Sequence, residues 1–304
     1  MGGRIIRFIF FGNYFVGLLA IALSLETTIQ LRLPFDPIPY YILLFSATVM
    51  YYTYAYSGVL QSPSATNLRA AWYRDHRTLV RYTQLLFLVV CVVSCFAILA
   101  ESWQNILHMP LPYWIVIAAL VLSSLLYYGL LPKSVFKLNL RNTGWLKAFV
   151  IGFVWAGCVS LAPLIMLQIS GRPFTPDFIL VAGLFVKNWM FCTINAMMFD
   201  FKDYADDSNK QLQTFVVRFG LQRTVSYVLI PLTLIGMLSV FVFTSYRHLG
   251  LVPMLILQFP LLLMLLVSYS MYRQKSIFYY LIVIDGLVLI KALSGILAMQ
   301  FIHT

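Results

Sequence analysis

The sequence predicts an all-α integral membrane protein, a single bundle of about nine transmembrane helices spanning residues 1–304, with a cytoplasmic N-terminus. Three observations carry that prediction. Apolar residues make up 61% of the chain and charged residues 10%, with a mean hydropathy of +0.86; a soluble domain carries roughly a quarter charged residues. The apolar residues fall in unbroken runs of helix-spanning length, about 20 residues each, which excludes a barrel of short alternating strands. The Lys and Arg residues sit in the short connections between those runs, as topology signals do.

The elements follow in order. Residues 8–25 are apolar behind Arg4 and Arg7 and end near Ala20-Ile21-Ala22, which imitates a signal peptide. The run is too long for a signal-peptide core and further spans follow it, so it reads as a retained first helix. Eight more spans are expected near 38–56, 83–100, 113–131, 148–169, 178–199, 225–245, 251–271 and 277–301. Pro- and Gly-bearing junctions separate them, and no extramembrane domain has room to fold.

Orientation comes from the basic residues. With the N-terminus inside, the cytoplasmic loops hold Arg4, Arg7, Arg69, Arg74, Arg77, Arg81, Lys133, Lys137, Arg141, Lys147, Lys202, Lys210, Arg218, Arg223, Arg273 and Lys275. The opposite side holds only Arg32, Arg172 and Arg247, and Lys187 and Lys291 lie inside helices. That bias places the long polar segments 57–82, 132–146 and 200–224 in the cytoplasm. It also explains the net charge of +11 without nucleic acid. Cys91, Cys95, Cys158 and Cys192 all lie in apolar runs and read as buried small hydrophobes. His76, His108, His248 and His303 have no ligand spacing.

The segment 199–220 stands out. It holds Asp200, Asp203, Asp206 and Asp207, four of the ten carboxylates in the protein, directly after an apolar run. If the helix continues through them, Asp200, Asp203 and Asp207 fall within about 60° of one another. Asp206 points elsewhere and reads as solvated. Three carboxylates at a helix C-terminus oppose the helix dipole and call for a cation among them. A Mg²⁺ bridging to phosphate, with Lys and Arg covering the remaining charge, suits such a set.

The order Asp200-x-x-Asp203-x-x-x-Asp207, with Thr214 and then Arg218-Phe219-Gly220, resembles the second Asp-rich motif of the UbiA-type intramembrane prenyltransferase superfamily. The segment from Tyr127 through Lys133 to Lys147, leading into the span with Trp155, resembles that family's fourth loop. The resemblance implies nine helices and a transferase that moves a polyprenyl chain from its diphosphate to an acceptor, often an aromatic ring. It implies Asp200, Asp203 and Asp207 as metal–diphosphate carboxylates, with magnesium as cofactor. The sequence departs from the family in the first motif: residues 51–77 offer Asp75 as their only carboxylate. In the second motif, Gln211 stands where Gly is usual and Val216 where Pro is common.

Arg69, Arg74, Arg77, Lys133, Lys147 and Arg218 are candidate diphosphate ligands, and Arg69, Arg74 and Arg77 could supply charge in place of a second metal cluster. As topology anchors on anionic lipid, the same arginines need no substrate. Within the helices, Lys187, Asp285 and Lys291 are costly charges, and similar depth pairs Lys187 with Asp285. Asn188 and Asn195 share a stripe suited to interhelical hydrogen bonds.

The leading expectation is a UbiA-like transferase with an altered first motif, an integral protein of a bacterial cytoplasmic membrane with its active face inward. Membrane lipid and a polyprenyl diphosphate are its expected partners, with no nucleic acid and no protein partner evident. The alternatives are an inactive or lipid-phosphate-binding member of the same fold, or a small-solute transporter that uses the intramembrane charges. Repeated halves would favour the transporter, and the sequence shows none.

Overall fold

The computed structural model describes residues 2–54, 56, 68–128, 144–172, 177–209, 212–273 and 275–301. Among these residues the ordered elements are helices: α1 (Gly2–Phe11), α2 (Tyr14–Gln30), α3 (Ile38–Tyr54), α4 (Leu68–Asp75), α5 (Arg77–Leu107), α6 (Leu111–Tyr128) and α7 (Leu146–Ile169). They continue with α8 (Phe178–Lys202), α9 (Tyr204–Asn209), α10 (Phe215–Phe219), α11 (Leu221–Tyr246), α12 (Leu251–Ser270) and α13 (Tyr279–Gln300). Six of these helices, α5, α7, α8, α11, α12 and α13, are long and apolar enough to cross a membrane, and α1 with α2 makes a seventh if the bent pair is one span. The expected spans over α3 and α6 are helical as far as the described residues run there, Ile38–Tyr54 and Leu111–Tyr128.

Contacts divide the chain into two compact parts, the first formed by residues 1–22, 34–109 and 166–174 and the second by 23–33, 110–165 and 175–304. In the first part α3 packs on α5, which presents Leu85, Leu86, Val92, Val93 and Phe96 outward as a lipid-facing helix does. The expected first helix, residues 8–25, is bent by 61° at Gly12-Asn13. Asn13 takes a positive φ of 64°, a left-handed conformation that ends a helix and that Asn adopts more readily than most residues. The Phe11 carbonyl lies at the break, and a buried carbonyl needs a donor. Arg69 Nη2 donates to it at 3.1 Å and Tyr73 Oη at 2.8 Å.

In the second part α7 packs on α8, α11 on both α8 and α12, and α12 on α13. Gly152 lets α7 approach α8, because a Cβ there would run into Thr193. Asp177 caps the start of α8 by accepting from the amides of Ile179 and Leu180 at 3.0 and 3.2 Å. The end of that helix carries the acidic segment.

Candidate functional site

Helix α8 stops at Lys202, and Asp203 is its C-cap, outside the helical run. The single helix expected to carry all three acids is thus interrupted at the middle one. Asp203 is half-exposed and pairs with its neighbour Lys202 at 2.9 Å. Asp200 and Asp207 turn inward and are buried, and the chain between them is held by the Asp207 amide donating to the Asp203 carbonyl at 2.8 Å.

Between the two buried carboxylates stands the ammonium of Lys147. Its Nζ is 2.9 Å from Asp200 Oδ1 and 2.7 Å from Asp207 Oδ2. Lys147 belongs to the first turn of α7, and the local chain fixes it there. Gly144 has φ +66°, and a Cβ on it would strike the Gln213 carbonyl, so this turn lies directly against residues 212–214. Trp145 and Phe149 both meet the Phe215 ring at 6.4 Å. Thr214 caps α10 by accepting from the Val217 amide at 3.3 Å.

Electrostatically the arrangement is incomplete. One ammonium faces two carboxylates, which leaves a negative charge in a buried setting where charges are expensive unless paired. Asp200 Oδ2 is buried and finds no hydrogen-bond partner among the described residues. These facts bear on the magnesium implied by the resemblance. No three His, Cys, Asp or Glu side chains among the described residues are grouped to hold a metal. The acids suit a cation held jointly with a phosphate, because Mg²⁺ usually takes one or two carboxylates and completes its shell with phosphate oxygens and water.

A family model described as the UbiA prenyltransferase family matches residues 77–277, about two thirds of the sequence. The chain belongs to the UbiA prenyltransferase family. Comparison with curated proteins and with solved structures finds no match.

As a UbiA-family member the chain departs from simple expectation at several positions. Arg69 is buried and committed to the Phe11 carbonyl, to Asn13 Oδ1 and to the face of Tyr56 at 4.5 Å. Arg74 meets Asp75 at 3.6 Å, and Arg77 is exposed at the start of α5. Arg218 is exposed and lies over Phe219, 5.5 Å from its ring centre. Lys133, with most of the fourth-loop segment, lies outside the described residues, as does much of the region expected to carry a first motif. In this UbiA-family chain Thr214 and Gly220 serve local structure, Thr214 as a helix cap and Gly220 as a turn at φ +78°.

The charges inside the helices also find other partners. The carboxylate brought to Lys187 is Glu26, at 3.6 Å, in the place the sequence reading gave to Asp285. Asp285 lies in the first turn after the widened start of α13. No sequence signal marks Glu26, which lies one residue beyond an apolar run and has no charged neighbour in sequence. Asn195 donates to the Ile284 carbonyl at 2.7 Å, the interhelical bond its position suggested.

Proposed function

We propose that this chain transfers a polyprenyl group from its diphosphate to an acceptor nucleophile, with the diphosphate bound at Asp200, Lys147 and Asp207. In the step proposed, the allylic carbon–oxygen bond breaks with its electron pair leaving on the diphosphate, and the carbon bonds to the acceptor, which gives up a proton. Family membership supports the reaction class. The observation that carries the site is the buried carboxylate pair held by one lysine, with a carboxylate oxygen and a negative charge left over.

Lys147 has three N–H donors, two of them directed at carboxylates, so one is available to a phosphate oxygen. Fixed between two acids, it is preorganised for the charge that builds on the leaving diphosphate. Magnesium, when bound, would be held by Asp200 and Asp207 together with the diphosphate, and would supply further neutralisation of that charge. In this reading the basic loops face the cytoplasm and the prenyl chain lies among the helices.

A lipid-phosphate-binding protein without turnover is the second reading. It is favoured by the commitment of Arg69, which leaves one cation fewer to replace a first acidic motif. Purified protein incubated with a panel of polyprenyl diphosphates and Mg²⁺ decides between them. Pyrophosphate release that Asp200→Asn abolishes supports transfer. Saturable binding of every diphosphate with no release, whatever the acceptor, rejects transfer in favour of the second reading.

A further inference from the structure

A second group of buried charges lies far from the acidic end. Lys187 precedes Asp200 by thirteen residues of α8, about 20 Å along the helix axis. Its Nζ donates to Gln30 Oε1 at 2.9 Å, stands 3.6 Å from Glu26 Oε1 and lies 4.9 Å from the centre of the Phe243 ring. Lys291 of α13 donates to Glu26 Oε2 at 2.5 Å and to Asn188 Oδ1. Gln30 Nε2 donates to Glu26 Oε1 at 2.8 Å, and Asn188 Nδ2 to Ser160 Oγ at 2.7 Å. Glu26, Lys187 and Lys291 are all buried, with Glu26 only 1% exposed.

The charges do not balance. In the contacts of Lys187 and Lys291 among the described residues, two ammonium groups share one carboxylate, Glu26; the next cation, Arg247, has Asp177 to offset part of its own charge and adds no carboxylate to the pair. Arg247 donates to the Gln30 carbonyl at 2.9 Å and lies 5.8 Å from the same Phe243 ring. An uncompensated charge at such depth is expensive and marks a site or a missing partner. Lys187 has donor capacity to spare: its one short hydrogen bond goes to Gln30, and Glu26 lies beyond hydrogen-bond reach. Lys187 and Lys291, with the Glu26 carboxylate they share, also border a narrow cavity whose other walls include Ser239, Met190, Ile194 and Leu257.

We propose that this cavity binds one small monovalent anion of halide size, held by Lys187 and Lys291 with the Ser239 hydroxyl beside it. Its charge completes the neutrality that Glu26 begins. The narrow, mostly apolar walls select a singly charged, weakly hydrated ion; a sulfate or phosphate would surrender far more hydration than two ammonium groups return.

The test is thermal unfolding of the purified protein in detergent at constant ionic strength, with chloride or bromide exchanged for gluconate. The wild-type midpoint rises saturably with halide, and a crystal soaked in bromide shows an anomalous peak beside Lys187 Nζ. Lys187→Met leaves a neutral Glu26–Lys291 pair. It removes the halide response and leaves the protein at least as stable in gluconate as the wild type. Ser239→Leu, which fills the cavity and keeps all three charges, also removes the response. Equal wild-type midpoints in halide and gluconate overturn the proposal, as does a response that survives either substitution.

Discussion

The Lys147 ammonium stands 2.9 Å from the Asp200 carboxylate, both side chains buried and 53 positions apart in sequence, and the same ammonium holds Asp207 at 2.7 Å. This contact joins α7 to the end of α8 and makes the acidic segment a structural part of the bundle as well as a candidate site. Removing one partner of a buried pair leaves the other charge uncompensated, at a cost of about 3–5 kcal/mol. Lys147→Met is therefore expected to lower stability by that order in denaturant unfolding. Adding Asp200→Asn recovers part of the loss, because one of the two stranded charges is gone. A double-mutant cycle with near-additive effects would show that the contact carries no coupling.

Two glycines of α13 predict opposite outcomes for the same substitution. A Cβ on Gly295 would fall on the Glu26 carboxylate and the Gln30 amide, closer than real Cβ contacts come. Gly295→Ala has to push Glu26 away from Lys187 and Lys291, and overpacking of this kind costs about 1–3 kcal/mol. Gly286 has nothing within 4 Å of its notional Cβ. Gly286→Ala in the same helix is expected to gain about 0.5–1 kcal/mol by restricting the unfolded backbone. Unfolding midpoints of the two variants check both signs, and a stabilised Gly295→Ala would mean that Glu26 does not need this gap.

The contrast between what was and was not legible in the sequence follows from the distance between partners. Composition and run length were enough for a helical membrane protein, and α8 was expected at 178–199 against Phe178–Lys202 observed. The acidic segment was visible because its residues are neighbours. Its lysine was not recognised as their partner: Lys147 lies 60 positions before Asp207 and reads, locally, as one more loop cation. Glu26 was invisible for the same reason, since Lys291 lies 265 positions away and no window of the chain contains both. The expected placement of Asp200, Asp203 and Asp207 supposes an unbroken α8, whereas the helix ends at Lys202 and a new one starts at Tyr204. Arg69 looked like a free loop cation because its partner, the Phe11 carbonyl, lies at the break that Asn13 makes in the first helix.

Asp36 predicts a pH dependence. It lies in the connection between α2 and α3, where burial pushes its carboxyl up to about 7 from the ordinary 3.8, with Arg172 opposing the rise. The folded protein thus keeps a proton on Asp36 that the unfolded chain releases near pH 4. The contribution of Asp36 to stability is greatest below that value, falls as pH rises toward 7, and is level above it. The unfolding midpoint is expected to decline between pH 5 and pH 7, and Asp36→Asn to flatten that part of the profile. An unchanged slope in Asp36→Asn would assign the dependence to another group.

Arg69 separates a structural role from a substrate role. Its guanidinium donates to the carbonyl at the α1–α2 break, and Tyr73 donates to the same oxygen. A hydrogen bond from a charged donor contributes about 1.5–3 kcal/mol, and the Asn13 side chain, which Arg69 also meets, in turn donates to Thr53 Oγ1 at 3.1 Å. Arg69→Gln is therefore expected to destabilise the protein by about that amount, whereas Arg74→Gln, at an exposed pair of small value, changes stability little. Diphosphate affinity, measured per folded molecule by titration, is expected to stay near wild type in Arg69→Gln and to fall in Lys147→Gln. A large loss of affinity in folded Arg69→Gln with no loss of stability would return Arg69 to the diphosphate and remove the main observation favouring a protein that binds without turning over.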